Sequence, residues 1–157
     1  MSVCLVDTSI LCEILQVPNK CGNHKEISAQ MQHKLETDSM LVPISAIIET
    51  GNHIGHNGDG HQRRDAAARF VDFVRDAIAG NPRFIPTPFF EPEILRDWLE
   101  GFPDWAMRTD SKGKGSGLGD LTIVKEWERQ CALNRGRRVY IWSTDQHLSA
   151  YDRPSEM

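Results

Sequence analysis

Four carboxylates in this sequence stand where apolar segments end or helices begin, and acids placed in this way can bind metal ions. They are Asp7, Glu49, Asp120 and Asp145. Carboxylates gathered at one place repel one another, and a hard divalent cation such as Mg²⁺ or Mn²⁺ relieves that repulsion because it prefers oxygen ligands. The chemistry expected of such a cluster is metal-assisted phosphoryl transfer.

The elements that must position these acids alternate along the chain. Short apolar runs predict four strands, and apolar residues at helical spacing predict helices between them. The predicted strands cover residues 2–6, 40–44, 83–88 and 138–142. The predicted helices cover 8–17, 24–37, 45–53, 62–79, 91–105, 120–133 and 145–150. Strands separated by helices pair in parallel through right-handed crossovers, so we predict a single α/β domain over residues 1–157.

Ligands of an open parallel sheet bind at the carboxyl ends of its strands. Asp7 directly follows the first strand, and Asp145 follows the last one after two intervening residues. Glu49 lies one turn into the helix that comes after the second strand, and Asp120 opens the helix that leads into the last strand. All four side chains are therefore expected at one edge of the sheet.

Helix capping is the structural alternative for three of these acids, because Asp is a favoured N-cap residue. Asp7, Asp120 and Asp145 all stand at predicted helix starts, and capping could explain each of them separately. Hydroxyl side chains next to two of the acids supply other capping groups, which favours a role beyond capping. These hydroxyls belong to Thr8, Ser9, Ser143 and Thr144.

Different observations favour a role beyond capping for Asp120 and Glu49. Asp120 is in line with the apolar residues Ile123 and Val124 of its helix, and a carboxylate turned toward apolar surroundings is costly unless it is paired or metal-bound. Ser45 is the predicted cap of the helix that holds Glu49. A capping box would need a glutamate three residues after Ser45, where the chain has Ile48.

Four segments around these acids resemble the acidic motifs of PIN-domain nucleases, in the same order and over nearly the whole chain. They are VDTSIL at 6–11, ISAIIETGN at 44–52, GLGDLTIVKEW at 117–127 and WSTDQHL at 142–148. The resemblance implies a three-layer sandwich with a short parallel sheet of about four strands flanked by helices. It also implies that Asp7, Glu49, Asp120 and Asp145 are catalytic residues that bind Mg²⁺ or Mn²⁺.

The resemblance extends to the neighbours of the acids and to the partners. Thr8, Ser9 and Thr144 match the small hydroxyl residues that support such sites through hydrogen bonds. The implied activity is metal-dependent hydrolysis of RNA, and the implied partners are an antitoxin protein and a second copy of the chain in a homodimer. The segments 55–62 and 108–119 look like longer loops than usual, and a customary final strand is expected to be missing.

Basic and histidine residues near these motifs have two interpretations each. Lys112 and Lys114 lie in a glycine-rich segment just before Asp120, where they either bind substrate phosphates or belong to a solvated linker. That segment lacks the ending of a P-loop and does not follow a strand. Three histidines with irregular spacing and no cysteine partner make a weak zinc motif, and they are His53, His56 and His61.

Composition and charge restrict the remaining classes. The formal net charge is −4, which is unusual for a nucleic-acid binder, although four site carboxylates would account for it. The chain shows no signal peptide and no apolar run near the roughly 20 residues of a membrane span, so a cytoplasmic protein is expected. The cysteines lack metal-binding spacing, which favours free thiols.

Two other functions stay open beside the endoribonuclease. A non-catalytic PIN-like module could bind RNA or protein, although such a scaffold has no need of four acids. An acidic-site phosphatase or receiver-like domain would need a lysine after a later strand, and no lysine follows Asp145.

Overall fold

Short apolar segments form the strands of one central sheet in the computed structural model, which describes residues 1–80, 83–110 and 112–156. The strands are β1 (Ser2–Val6), β2 (Asp38–Val42), β3 (Phe84–Pro86), β4 (Val139–Trp142) and β5 (Asp152–Arg153). The helices are α1 (Thr8–Ile14), α2 (His24–Thr37), α3 (Ile44–His56), α4 (Gly60–Ile78), α5 (Pro92–Leu99), α6 (Phe102–Met107), α7 (Leu118–Leu133) and α8 (Gln146–Ser149).

The sheet is mostly parallel, with the strand order β3-β2-β1-β4-β5. In the centre, Leu5 of β1 is paired with Leu41 of β2, and Val6 is paired with Trp142 of β4. β3 adds to β2 in parallel, whereas β5 runs antiparallel to β4. The predicted α/β class with a parallel sheet flanked by helices is thus confirmed, and the layering is compatible with a three-layer sandwich.

The prediction of about four strands, without a final one, was wrong: the described residues form a sheet of five strands. The fifth strand is held by charged groups rather than by apolar side chains. The Arg153 guanidinium donates to the carbonyl oxygens of Cys131, Asn134 and Arg137 at 2.6–2.8 Å. The sequence of β5 therefore has no alternation of apolar and polar residues from which a strand could be predicted.

The core lies on both sides of β1, whose residues Cys4, Leu5 and Val6 are fully buried. α7 packs against β1 and β4, while α2 packs against β2. α3 contacts α1, α4 and α7, and a second apolar cluster fills the space between α1, α3 and α4. Because β1 is covered on both faces, the direction of its carboxyl end is fixed by the packing. In the described part of the chain, no helix is both long and apolar enough to cross a membrane.

The helix that carries Glu49 does not start where the sequence predicts. Pro43 occupies the N-cap of α3, and Ser45 lies inside the helix with a buried hydroxyl that has no hydrogen-bond partner among the described residues. The N–H of Ile44 instead donates to Oγ1 of Thr87, 3.0 Å away. The capping group therefore comes from the segment after β3, far along the chain.

Other predicted boundaries also differ. The segment 55–62 is not a long loop, because α3 continues to His56 and α4 begins at Gly60, with Asp59 and Gln62 forming a capping box. α1 ends at Ile14 rather than at residue 17. The predicted helix 91–105 is divided by Gly101 into α5 and α6.

Candidate functional site

A pocket of about 870 Å³ opens at the carboxyl edge of the parallel strands. Its lining includes all four carboxylates singled out from the sequence, namely Asp7, Glu49, Asp120 and Asp145. The predicted hydroxyl residues Thr8, Ser9 and Thr144 line the same pocket. Segments that are far apart in the sequence therefore meet where a parallel sheet presents its ligand-binding edge.

Asp7 lines a buried part of the pocket, with 4% of its surface exposed. Its N–H donates to the carbonyl of Trp142 at 3.0 Å, which extends the pairing of β1 and β4 by one residue. The side chain caps α1: Oδ2 accepts hydrogen bonds from the Ser9 hydroxyl at 2.7 Å, the Ser143 hydroxyl at 2.7 Å and the Ser9 N–H at 3.3 Å. Within the described residues Oδ1 has no donor, so this oxygen is available to a cation.

Capping and a metal-binding role are therefore compatible at Asp7. The prediction that neighbouring hydroxyls supply the capping group was wrong at Asp7, because the Asp7 carboxylate itself caps α1. The hydroxyls of Ser9 and Ser143 bind that carboxylate instead.

Glu49 faces the pocket from α3. Its Oε2 accepts a hydrogen bond from Oγ1 of Thr8 at 3.0 Å, which joins the first turn of α1 to α3. α7 approaches this carboxylate closely at Gly119, where a Cβ atom would lie only 2.7 Å from Oε2 of Glu49 and nearer still to Oε1. Glycine at position 119 therefore leaves the space that the carboxylate occupies.

Asp120 is the next residue of α7 and lies half-buried in its first turn. It is not the cap of α7, since the N-cap position belongs to Gly117. Burial is the largest cause that raises the pKa of Asp120, and the negative charges of Asp7, Glu49 and Asp145 add to it; together they bring this pKa to about 6. The other three carboxylates thus stand close enough to Asp120 for their charges to disfavour its ionised form, and a bound cation relieves such a condition.

Asp145 lies at the exposed rim of the pocket, where its Oδ1 caps α8 by accepting the N–H of His147 at 2.8 Å. The neighbouring hydroxyl expected to help was that of Thr144. Thr144 contributes its backbone N–H instead, which donates to Oγ of Ser9 at 3.1 Å. Ser143, which was considered only as a capping group, provides the hydroxyl that binds Asp7.

The two lysines of the glycine-rich segment differ in position. Lys114 lines the pocket, whereas Lys112 is not among its lining residues. The backbone N–H groups of both donate to Oδ1 of Asp110, at 2.9 Å for Lys112 and 2.8 Å for Lys114. Thr109 and Gly115 form an antiparallel bridge, so part of the predicted loop 108–119 is a small hairpin. Ser111 lies outside the described residues.

Other lining residues were missed by the sequence reasoning as parts of a site: Glu13, Lys20, Trp105, Arg108 and His147. Glu13 is 6% exposed, and its Oε2 accepts the N–H of Asn23 at 3.1 Å. His53 also lines the pocket, and burial lowers its pKa, with a further lowering from Lys20. A single basic residue such as Lys20 or Arg108 belongs to no recognisable sequence motif, so only the folded structure shows that it lines the pocket.

The donor set suits a hard cation, with one restriction. Within the described residues, no group of three His, Cys, Asp or Glu side chains is arranged to hold a metal ion by itself. Mg²⁺ usually binds through one or two carboxylates, keeps several waters and completes its ligands with substrate phosphates. Three features fit that mode of binding: the free carboxylate oxygen of Asp7, the negative charge near Asp120, and the Glu49 carboxylate, for which Gly119 leaves room.

The chain matches no protein-family model, and a search of curated proteins finds no relative.

Proposed function

We propose that this protein is a metal-dependent endoribonuclease of the PIN-domain kind, which hydrolyses RNA phosphodiester bonds. The observation that carries the proposal is the meeting of Asp7, Glu49, Asp120 and Asp145 in one pocket at the carboxyl edge of the sheet. A structural role does not require four acids from four distant segments to face the same cavity, where three of the charges disfavour ionisation of the fourth, Asp120.

The proposed chemistry divides among these residues. Oδ1 of Asp7 and the carboxylates of Glu49 and Asp120 would hold Mg²⁺ or Mn²⁺, with Asp145 at the rim. The ion would supply Lewis-acid stabilisation of charge and a water of lowered pKa. Thr8, Ser9 and Ser143 fix the orientation of the carboxylates through their hydroxyls. Lys114 lies where it can attract a substrate phosphate.

The resemblance to PIN-domain nucleases extends the proposal to the protein's partners. Many such proteins are toxins that an antitoxin protein inhibits, and we propose an antitoxin and a homodimer for this chain. Sedimentation of the purified protein measures the homodimer directly. A monomer at all concentrations would remove the dimer from the proposal and leave the ribonuclease activity to be tested separately.

The test of the activity is cleavage of total RNA with Mn²⁺ and with excess EDTA. We expect cleavage that EDTA abolishes, and we expect D7N and D120N to lose it while keeping a folded circular dichroism spectrum. The matched control is D97N, because Asp97 is an exposed residue of α5 outside the pocket lining and its substitution removes the same charge. Wild-type activity in D120N would overturn the assignment.

The alternative is a non-catalytic PIN-like module that binds RNA or protein. It is favoured by one observation, the absence of a ready-made ligand group of three His, Cys, Asp or Glu side chains in the described parts of the chain. Purified protein that binds RNA but leaves it intact at every Mg²⁺ and Mn²⁺ concentration would support this alternative.

A further inference from the structure

One cation of the pocket lining is held in place by an aromatic side chain. The guanidinium carbon of Arg108 lies 4.6 Å from the centre of the Trp105 ring. The indole is itself fixed, because its Nε1–H donates to the carbonyl of Gly117 at 3.1 Å. A guanidinium stacked on a fixed ring has already lost much of its freedom, so binding a ligand costs less conformational entropy.

The backbone also fixes this arginine at the wall of the pocket that the acids line. The carbonyl of Arg108 accepts the N–H of Ser116 at 3.2 Å, and the next residue, Thr109, is bridged to Gly115. Arg108 and Lys114 therefore lie on opposite arms of the hairpin, and both residues line the pocket.

Arg108 has no anionic partner in the described residues. Its cation–π contact uses the face of the guanidinium, and no carboxylate forms an ion pair with it there. A stacked guanidinium keeps its N–H edge free, and that edge matches two oxygens of a phosphate.

We propose that Arg108 binds a phosphate of the nucleic-acid substrate adjacent to the phosphodiester that is cut, and that Trp105 is its positioning residue. The inference rests on the proposed ribonuclease function for the identity of the ligand. It adds a substrate-binding residue that the four acidic motifs do not contain.

The experiment measures the affinity of a short fluorescein-labelled single-stranded RNA by anisotropy at several salt concentrations, in Ca²⁺ buffer, with the RNA checked for intactness afterwards. R108A is compared with R96A, which removes the same charge from an exposed position on α5. We expect R108A to weaken binding about tenfold and to reduce the slope of log affinity against log salt by about 0.7, the loss of one phosphate contact. R96A is expected to keep the wild-type values.

Two further variants separate binding from a structural effect. R108K keeps the charge but not the planar fork, so it should retain the salt slope and bind with intermediate affinity. W105F should weaken binding less than R108A without changing the salt slope, because the phosphate contact itself remains. If R108A cuts RNA, a raised KM with a nearly unchanged kcat is expected.

The outcomes distinguish this inference from the proposed function. Equal affinity and salt slope for R108A and R96A would overturn the role of Arg108, even if the wild-type protein cuts RNA. RNA binding that depends on Arg108, in a protein that never cuts, would support the role and refute the nuclease. A wild-type protein that neither binds nor cuts the RNA would overturn both.

Discussion

The Oγ1 hydroxyl of Thr8 donates a hydrogen bond of 3.0 Å to Oε2 of Glu49, and this bond connects the residue after Asp7 to the acid of α3. Thr8 is buried, with 6% of its surface exposed, so water does not readily replace the bond. The contact couples the position of the Glu49 carboxylate to α1, the helix that Asp7 caps.

Replacing Thr8 by valine should therefore disturb both stability and metal affinity. Valine has the same shape but cannot donate, which leaves Oε2 of Glu49 without this partner. We expect the free energy of unfolding to fall by about 1 kcal/mol, measured by urea denaturation in EDTA. Mn²⁺ affinity, measured by calorimetry, should also fall. Thr8→Ser keeps the hydroxyl and serves as the control; a valine variant as stable and as metal-competent as the serine variant would contradict the coupling.

Alanine at Gly119 should stabilise the protein less than alanine at an ordinary helical glycine. Gly→Ala inside a helix normally stabilises a protein by roughly 1 kcal/mol. Gly55 of α3 has nothing within 4 Å of an added Cβ and should show that gain, whereas the Cβ at position 119 would displace the Glu49 carboxylate. We expect G119A to gain less stability than G55A and to lose most Mn²⁺-dependent cleavage. Full cleavage by G119A would show that the position of Glu49 is unimportant.

The raised pKa of Asp120 predicts how stability depends on pH in the metal-free protein. Its pKa is 3.8 as an ordinary aspartate and about 6 in the fold, so the folded state binds more protons between these values. Stability should therefore fall as pH rises from about 4 to about 6, and the loss should persist above that window.

Urea unfolding of wild type and D120N at several pH values in EDTA measures this dependence. D120N lacks the ionisable group, so its stability should change less across the window and should exceed that of wild type near neutral pH. D97N is the control for charge at a remote position. Parallel pH profiles for wild type and D120N would refute electrostatic crowding at the pocket.

The two lysines of the hairpin segment should differ in their contribution to substrate binding. Lys114 lines the pocket, and Lys112 does not, although the two residues have the same charge and nearly the same place in the sequence. We expect K114A to lower the affinity for single-stranded RNA several-fold and to reduce its salt dependence by about one phosphate contact, while K112A stays near wild type. The pair of variants is measured by filter binding in the absence of cleavage, and equal effects would assign both lysines to general charge attraction.

The positions of the four acids could be predicted because they follow from strand geometry. Asp7 follows the end of β1, and the carboxyl ends of parallel strands meet at one edge of the sheet. This holds even where the exact ends of the helices are not predicted. The local apolar pattern was enough to place β1, β2 and β4 to within about two residues. The common pocket of these side chains is thus a consequence of topology rather than of local propensity.

What could not be predicted depends on contacts between distant residues. The start of α3 is set by Thr87, which lies 43 positions beyond Ile44, so the sequence around Ser45 gave the wrong cap. The close approach of α7 to Glu49 explains why position 119 is a glycine. The sequence does not indicate this contact, because Gly119 is one of several glycines in a glycine-rich segment. Arg108 and Trp105 become a pair only when a helical turn brings them together.

The sheet order has a consequence for how the pocket assembles during folding. β1 precedes β2 and β4 in the chain but lies between them in the sheet. The Ser143 hydroxyl follows β4 and binds Asp7 across a separation of 136 positions, so this bond and Asp145 join the pocket only after β4 has paired with β1. If the protein cuts RNA as proposed, a folding intermediate that lacks the pairing of β1 with β4 is inactive.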